Sequence, residues 1–237
     1  MEFKIDIKKY GEKAILINWP QKIDEQILND ILSVKKIVLK NFQDILDVNN
    51  GYCSLLILFN RKVTDSNIEM LGKILNDRKE VFQTKKNKLW RIPVCYHLSF
   101  GTDLENLSRT KKLSNNEIVH LHTEPSYKVF CKGFLPGFMY LGGLNKKLHT
   151  PRKPNPELNI PKNSVAIGGS QTGIYPTESP GGWHIIGRTP IALFSIKNTE
   201  FSEIKTGDTI QFYSVSLADF LAFKTEEKSL NFLQKIE

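Results

Sequence analysis

The 237-residue chain is long enough for one large domain or two small ones, and its 40% apolar and 24% charged content is that of an ordinary globular protein. The net charge of +8 is spread evenly, with about +4 on each side of Leu89, so no basic arm of the nucleic-acid-binding kind stands out. The longest apolar run, Leu55 to Phe59, falls far short of the ~20 residues that span a bilayer, and Ala14 to Ile17 is too short for a secretory core.

Phe3, Ile5 and Ile7 alternate and predict a half-buried strand; Ala14 to Ile17 predicts a second. Asp24 opens a helical pattern carrying Ile27, Leu28, Ile31, Leu32 and Val34. Ile45 to Val48 and Cys53 to Phe59 read as strands joined at Asn50-Gly51, a pair that tolerates the positive φ of a tight hairpin. A second helix runs from about Ser66 into the eighties, and Leu89 to Cys95 returns to an extended pattern. Starting from Ala14, the order strand, helix, strand, strand, helix, strand is that of a ferredoxin-like split unit with one extra N-terminal strand. The polar run Lys85-Lys86-Asn87-Lys88 marks the expected boundary, giving domains 1–88 and 89–237.

Beyond it, Thr102 to Glu105 and Ser114 to Glu117 both fit the capping box that starts a helix, and Pro125 stops the second helix near Glu124. Val165 to Ile167, Gly182 to Arg188, Ile191 to Ile196 and Thr209 to Val215 read as short strands between turns, a pattern of barrels and compact sandwiches. The fold class is therefore α+β. Gly133 to Pro190 holds ten of the fifteen glycines and eight of the eleven prolines, interleaved with Phe134, Phe138, Tyr140 and Trp183. Such a stretch is a specified path of tight turns, with backbone able to approach a ligand, rather than a linker.

Known chemistry is sparse. Gly168 to Gly173 has Walker spacing, but Ile174 stands where lysine is required, and there is no GxGxxG or GxSxG. Cys53, Cys95 and Cys131 form no CxxC pair and fit reduced cytoplasmic thiols. His120 and His122 point to different faces of a helix and cannot share a metal there, so no metal site is expected. His149 and His184 lie among turn signals beside basic residues. Each is either a functional group or a histidine satisfied by a turn carbonyl. Arg152 and Arg188 can hold a carboxylate or phosphate in bidentate fashion, or tie loops together. Gln171, Tyr175 and Glu178 complete a polar set on loops. Residues alone lead as far as a ligand-binding β-domain.

Several strings are more specific. RIPVCY (Arg91–Tyr96), HLHT (His120–Thr123), GFLPGFMYLGGL (Gly133–Leu144), HTPR (His149–Arg152), GGSQTGIYPTESPGGWHIIGRTP (Gly168–Pro190) and GDTIQF (Gly207–Phe212) resemble the family of 5-oxoprolinase B subunits, also described as subunit 1 of allophanate hydrolase and as a carboxyltransferase subdomain. The resemblance implies a ferredoxin-like α/β domain followed by a cyclophilin-like β-barrel in a cytoplasmic protein. It further implies work with partner C and A subunits in cleaving 5-oxoproline to glutamate, with ATP and Mg2+ and with no turnover by this chain alone. Binding to a histidine kinase, blocking autophosphorylation, is the alternative activity within the family. Neither nucleic acid nor a membrane is implied. His149, Arg152, Gln171, Tyr175, Glu178, His184 and Arg188 are the candidate substrate- or nucleotide-binding residues. No catalytic base is assigned.

Overall fold

The computed structural model describes residues 3–77, 87–194, 204–222 and 234–236. Its packing divides into two units, 1–86 and 87–237, and the expected linker Lys85 to Lys88 lies partly outside the described residues.

In the first unit, β1 (Asp6–Tyr10), β2 (Ala14–Asn18), β3 (Ile45–Asn50) and β4 (Ser54–Phe59) form one antiparallel sheet in the order β1-β2-β4-β3. Gly11, at φ 65, turns β1 back onto β2 so that Tyr10 faces Ala14. Two helices share a core with the sheet. In α1 (Glu25–Asn41), Ile27, Ile31, Val34 and Val38 recur at three and four residues and pack with Ile15, Ile17, Leu55 and Ile57. The Asp24 side chain caps α1 by accepting from the Gln26 N–H at 2.9 Å. The second helix, α2 (Asp65–Asn76), buries Leu71 and Leu75 and ends at Asp77; the residues expected to continue it lie outside the described ones.

Two expectations are corrected here. The Asn50-Gly51 hairpin forms, but neither residue takes positive φ; Gly51 instead donates to the Ser54 carbonyl in a longer loop. The Leu89 to Cys95 strand does not complete the ferredoxin-like sheet. The edge beside β2 that it was expected to fill is held by β1, with the required antiparallel sense. The reason is local: β1 reaches that edge through a three-residue turn, whereas Leu89 belongs to the other unit.

That strand, β5 (Leu89–Val94), opens the second unit. It is followed by α3 (Leu104–Lys111), α4 (Asn115–Thr123), β6 (Ser126–Lys132), β7 (Met139–Gly142) and a 3-10 turn at Lys146–Leu148. Then come β8 (Glu157–Ile160), β9 (Ser164–Gly168), β10 (Gln171–Ile174), β11 (Ser179–Gly181), β12 (His184–Arg188), β13 (Thr209–Ser214), α5 (Leu217–Ala222) and β14 (Gln234–Ile236). Eight strands form a sheet in the order β12-β9-β10-β7-β6-β13-β5-β14, while β8 and β11 pair separately. Cys95 and Arg188 exchange backbone hydrogen bonds of 2.9 and 3.0 Å, so the sheet curls until β5 meets β12. Inside lie Ile92, Val94, Val129, Leu141, Ile167, Ile174, Ile186 and Phe212.

The buried Asp208 carboxylate fixes the parallel β5–β13 pair at its start. It accepts from the Lys88 N–H at 3.1 Å, Trp90 Nε1 at 2.9 Å and the Lys205 N–H at 2.9 Å. The Ser114 capping box forms as expected, with Glu117 returning to the Ser114 N–H at 2.7 Å. The Thr102 box does not: Asp103 is the residue before α3, and its carboxylate is directed elsewhere. Ile191 to Phe194 is not a strand, and the rest of that expected strand lies outside the described residues.

Candidate functional site

The turn-rich segment builds one outer face of the second unit. Register pairs Gln171 with Gly168, Gly173 with Ala166, Ile185 with Ala166 and Thr172 with Leu141. Because side chains alternate across a pleat, Thr172, Leu141 and Ile167 point inward, and Tyr140, Gln171, Gly173 and Gly168 face out. The glycines leave room for rings. A Cβ on Gly168 would lie 2.6, 2.6 and 2.7 Å from three atoms of the Trp183 indole, which therefore rests directly on the strand. One on Gly173 would meet Phe138 and Trp183, each at 3.1 Å, and one on Gly181 would meet the Tyr175 hydroxyl at 2.2 Å.

On this cleared surface Phe138 packs edge-to-face on Tyr140 (4.8 Å), Tyr175 (5.4 Å) and Trp183 (5.6 Å). Aromatic quadrupoles favour that arrangement. Phe134 closes the cluster from outside, 5.7 Å from Phe138; it has φ 70 and stays 60% exposed. The exposed Arg152 guanidinium lies 5.8 Å above the Trp183 ring, at the outer range of a cation–π contact.

Burial raises the phenol pKa values of Tyr140 and Tyr175, the latter to about 12, while the Arg152 charge pulls both down. Both hydroxyls are therefore protonated near neutral pH and able to donate. The adjacent Lys153 is committed. Its Nζ meets Asp103 at 2.6 Å and also Glu157. Burial alone would lower the Lys153 pKa, but the two carboxylates hold it raised. The same Asp103 carboxylate accepts from the Ile185 N–H at 2.7 Å, which is why it does not cap α3.

Of the seven expected site residues, Arg152, Gln171 and Tyr175 belong to this face. His149 is held by a turn, with Nε2 donating to the Leu144 carbonyl at 3.0 Å. His184 alternates to the other side of β12 from Ile185 and donates through Nε2 to the Pro151 carbonyl at 2.9 Å, leaving a buried Nδ1 without a partner among the described residues. Glu178 is exposed in the turn before β11, and Arg188 sits where β12 meets β5. Three of the seven are thus brought onto this face.

His122 was set aside in the sequence, yet it anchors the interior. Thr172 donates its hydroxyl to the Ala166 carbonyl at 3.0 Å, so it accepts from His122 Nε2–H at 2.8 Å. Nδ1 is then an acceptor, and Tyr96 donates to it at 2.7 Å. The ring also stacks on Phe212 at 4.8 Å. Complete burial lowers its pKa to about 3, so it stays neutral. Its signal in the sequence was the four-residue step from the buried Ile118, which puts both on one helix face. Among the described residues no group of His, Cys, Asp and Glu could hold a metal ion, and no helix is long and apolar enough to cross a membrane.

Comparison with known proteins places these features. Residues 5–203 match the family described as carboxyltransferase domain, subdomain C and D. A curated Bacillus subtilis protein, named as the B subunit of 5-oxoprolinase, is 32% identical over 95% of this chain and 99% of its own length. The crystal structure of TTHA0988 is 27% identical with a TM-score of 0.73, over 86% of this chain and 40% of that one. The urea amidolyase of K. lactis, at 17% identity, shares the fold with a TM-score of 0.79 over 99% of this chain and 16% of that one. In those two solved proteins the matched region is under half of a longer polypeptide.

Proposed function

Since the chain belongs to the family of carboxyltransferase subdomains C and D, and matches a curated B subunit of 5-oxoprolinase along nearly its whole length, we propose that it is the B subunit of a 5-oxoprolinase complex. The reaction is the opening of 5-oxo-L-proline to L-glutamate with ATP, beside partner C and A subunits. The end-to-end match at 32% identity carries this reading.

A five-membered lactam is a stable amide. Opening it with ATP amounts to phosphorylating the amide oxygen and then adding water, and the charge that develops needs fixed positive groups and hydrogen-bond donors. The sequence has no Walker-type phosphate loop, and the nucleotide is assigned to no one subunit. No phosphoryl step is therefore assigned to this chain. Its contribution is the outer aromatic face. Arg152, steadied by Trp183, supplies a cation for the substrate carboxylate, and Tyr140 and Gln171 supply polar groups beside it.

The test is to purify this chain and its partner C and A subunits, singly and combined, and to follow 5-oxoproline-dependent release of phosphate and glutamate. Activity is expected only in the combination. Glutamate formation by the isolated chain would overturn the subunit reading. Silence of every combination, together with arrest of a histidine kinase by this chain, would replace it with the inhibitor.

A further inference from the structure

We propose a second binding site, separate from the aromatic face: an oxyanion site for a carboxylate or phosphate at Arg188, where the sheet closes on itself. The guanidinium lies 4.9 Å over the ring of Phe100, which in turn packs 4.4 Å from Phe220. Among the described residues the buried Arg188 Nε has no hydrogen-bond partner, and no carboxylate pairs with the side chain. No described carboxylate balances this half-buried cation, and an anion bound at its terminal nitrogens would do so.

Geometry favours an oxyanion over other ligands. Backbone hydrogen bonds to Cys95 on one side and from the Thr189 N–H to Asn163 on the other fix the base of the side chain. The Phe100 ring, 4.9 Å from the guanidinium carbon, bounds it on one side. With Nε buried, the terminal nitrogens remain as a rigid fork, matched to two oxygens of a carboxylate or phosphate.

The experiment uses the full chain. Its melting temperature is followed against sodium phosphate and, separately, sodium acetate, with sodium chloride at equal ionic strength as reference. A saturable rise with one or both anions is expected, and which anion produces it tells phosphate from carboxylate. Arg188→Gln should abolish the rise. Arg188→Lys, which keeps the charge and loses the fork, should weaken binding at least ~10-fold. Phe100→Leu keeps the cation, should also weaken binding, and guards against a folding defect in the arginine variants. Arg109→Gln, on an exposed helix position, should behave as wild type. No saturable effect of either anion, or full binding by Arg188→Gln, overturns the proposal.

Discussion

Acid should unfold the second unit through His122, and the size of the effect follows from its burial. The folded ring is neutral down to about pH 3, whereas in the unfolded chain it takes up a proton near the ordinary pKa of ~6.5. A depressed folded pKa means that the unfolded state binds more protons below ~6.5. Stability is then fully present above that value and lost as pH falls toward about 3. At about pH 5 the loss relative to neutral pH is ~2 kcal/mol, or roughly 4–8 °C in melting temperature for a unit of this size. The matched variant is His122→Gln, whose amide can still donate toward Thr172 and accept from Tyr96 but cannot titrate. Urea unfolding of both proteins, followed by tryptophan fluorescence between neutral pH and about pH 5, should show wild type losing ~2 kcal/mol more than the variant. Every other titrating group is common to the two, so the difference isolates this ring. Parallel pH profiles would show that His122 is not the neutral buried group described.

Gly168→Ala forces the Trp183 indole off its strand and should cost ~1–3 kcal/mol, read as a lower urea midpoint; an unchanged midpoint would mean that the ring does not rest there. Asp208→Ala leaves three N–H donors without their acceptor and should cost ~3 kcal/mol or more, lowering the melting temperature by roughly 6–12 °C. A fall of a degree or two would show that water replaces the carboxylate readily. Arg152→Ala in the assembled complex should lower activity at least ~10-fold with assembly intact. Full activity would remove Arg152 from the substrate's contacts.

The helices were legible because their signals are local. Ile27, Ile31, Val34 and Val38 repeat within one element, and Ser114 finds Glu117 three residues away. Where a distant group competes, the local signal fails. Asp103 precedes α3, but Lys153 and the Ile185 N–H claim its carboxylate from far along the chain. Sheet membership failed for the same reason, since nothing in Leu89 to Cys95 states whether its edge meets Ala14 to Asn18 or Thr209 to Ser214. The glycine-rich segment was recognised as specified, yet its glycines were read as turns or ligand approaches. Gly168, Gly173 and Gly181 clear space for rings that only the register brings over them. The sequence left His149 and His184 open between a functional group and a ring satisfied by a turn carbonyl, because the carbonyls that hold them are properties of the folded turns.

The two sheets also differ in when they can be made. All four strands of the first lie between Asp6 and Phe59, and its edge is filled by the earliest of them. That sheet can assemble on the ribosome while the rest of the chain is still being synthesised. The second cannot. β5 waits for a parallel partner, and its clamp joins Lys88 to Asp208 across 120 residues. Until Thr209 to Ser214 emerge, Trp90, Ile92 and Val94 belong to an apolar strand without its neighbour. Such long-range parallel pairing slows folding and leaves strand edges open to other nascent chains. Newly made protein should therefore pass through a stage with a finished first unit and an open second one. Chaperone demand, and aggregation when chaperones are scarce, should arise from the second unit.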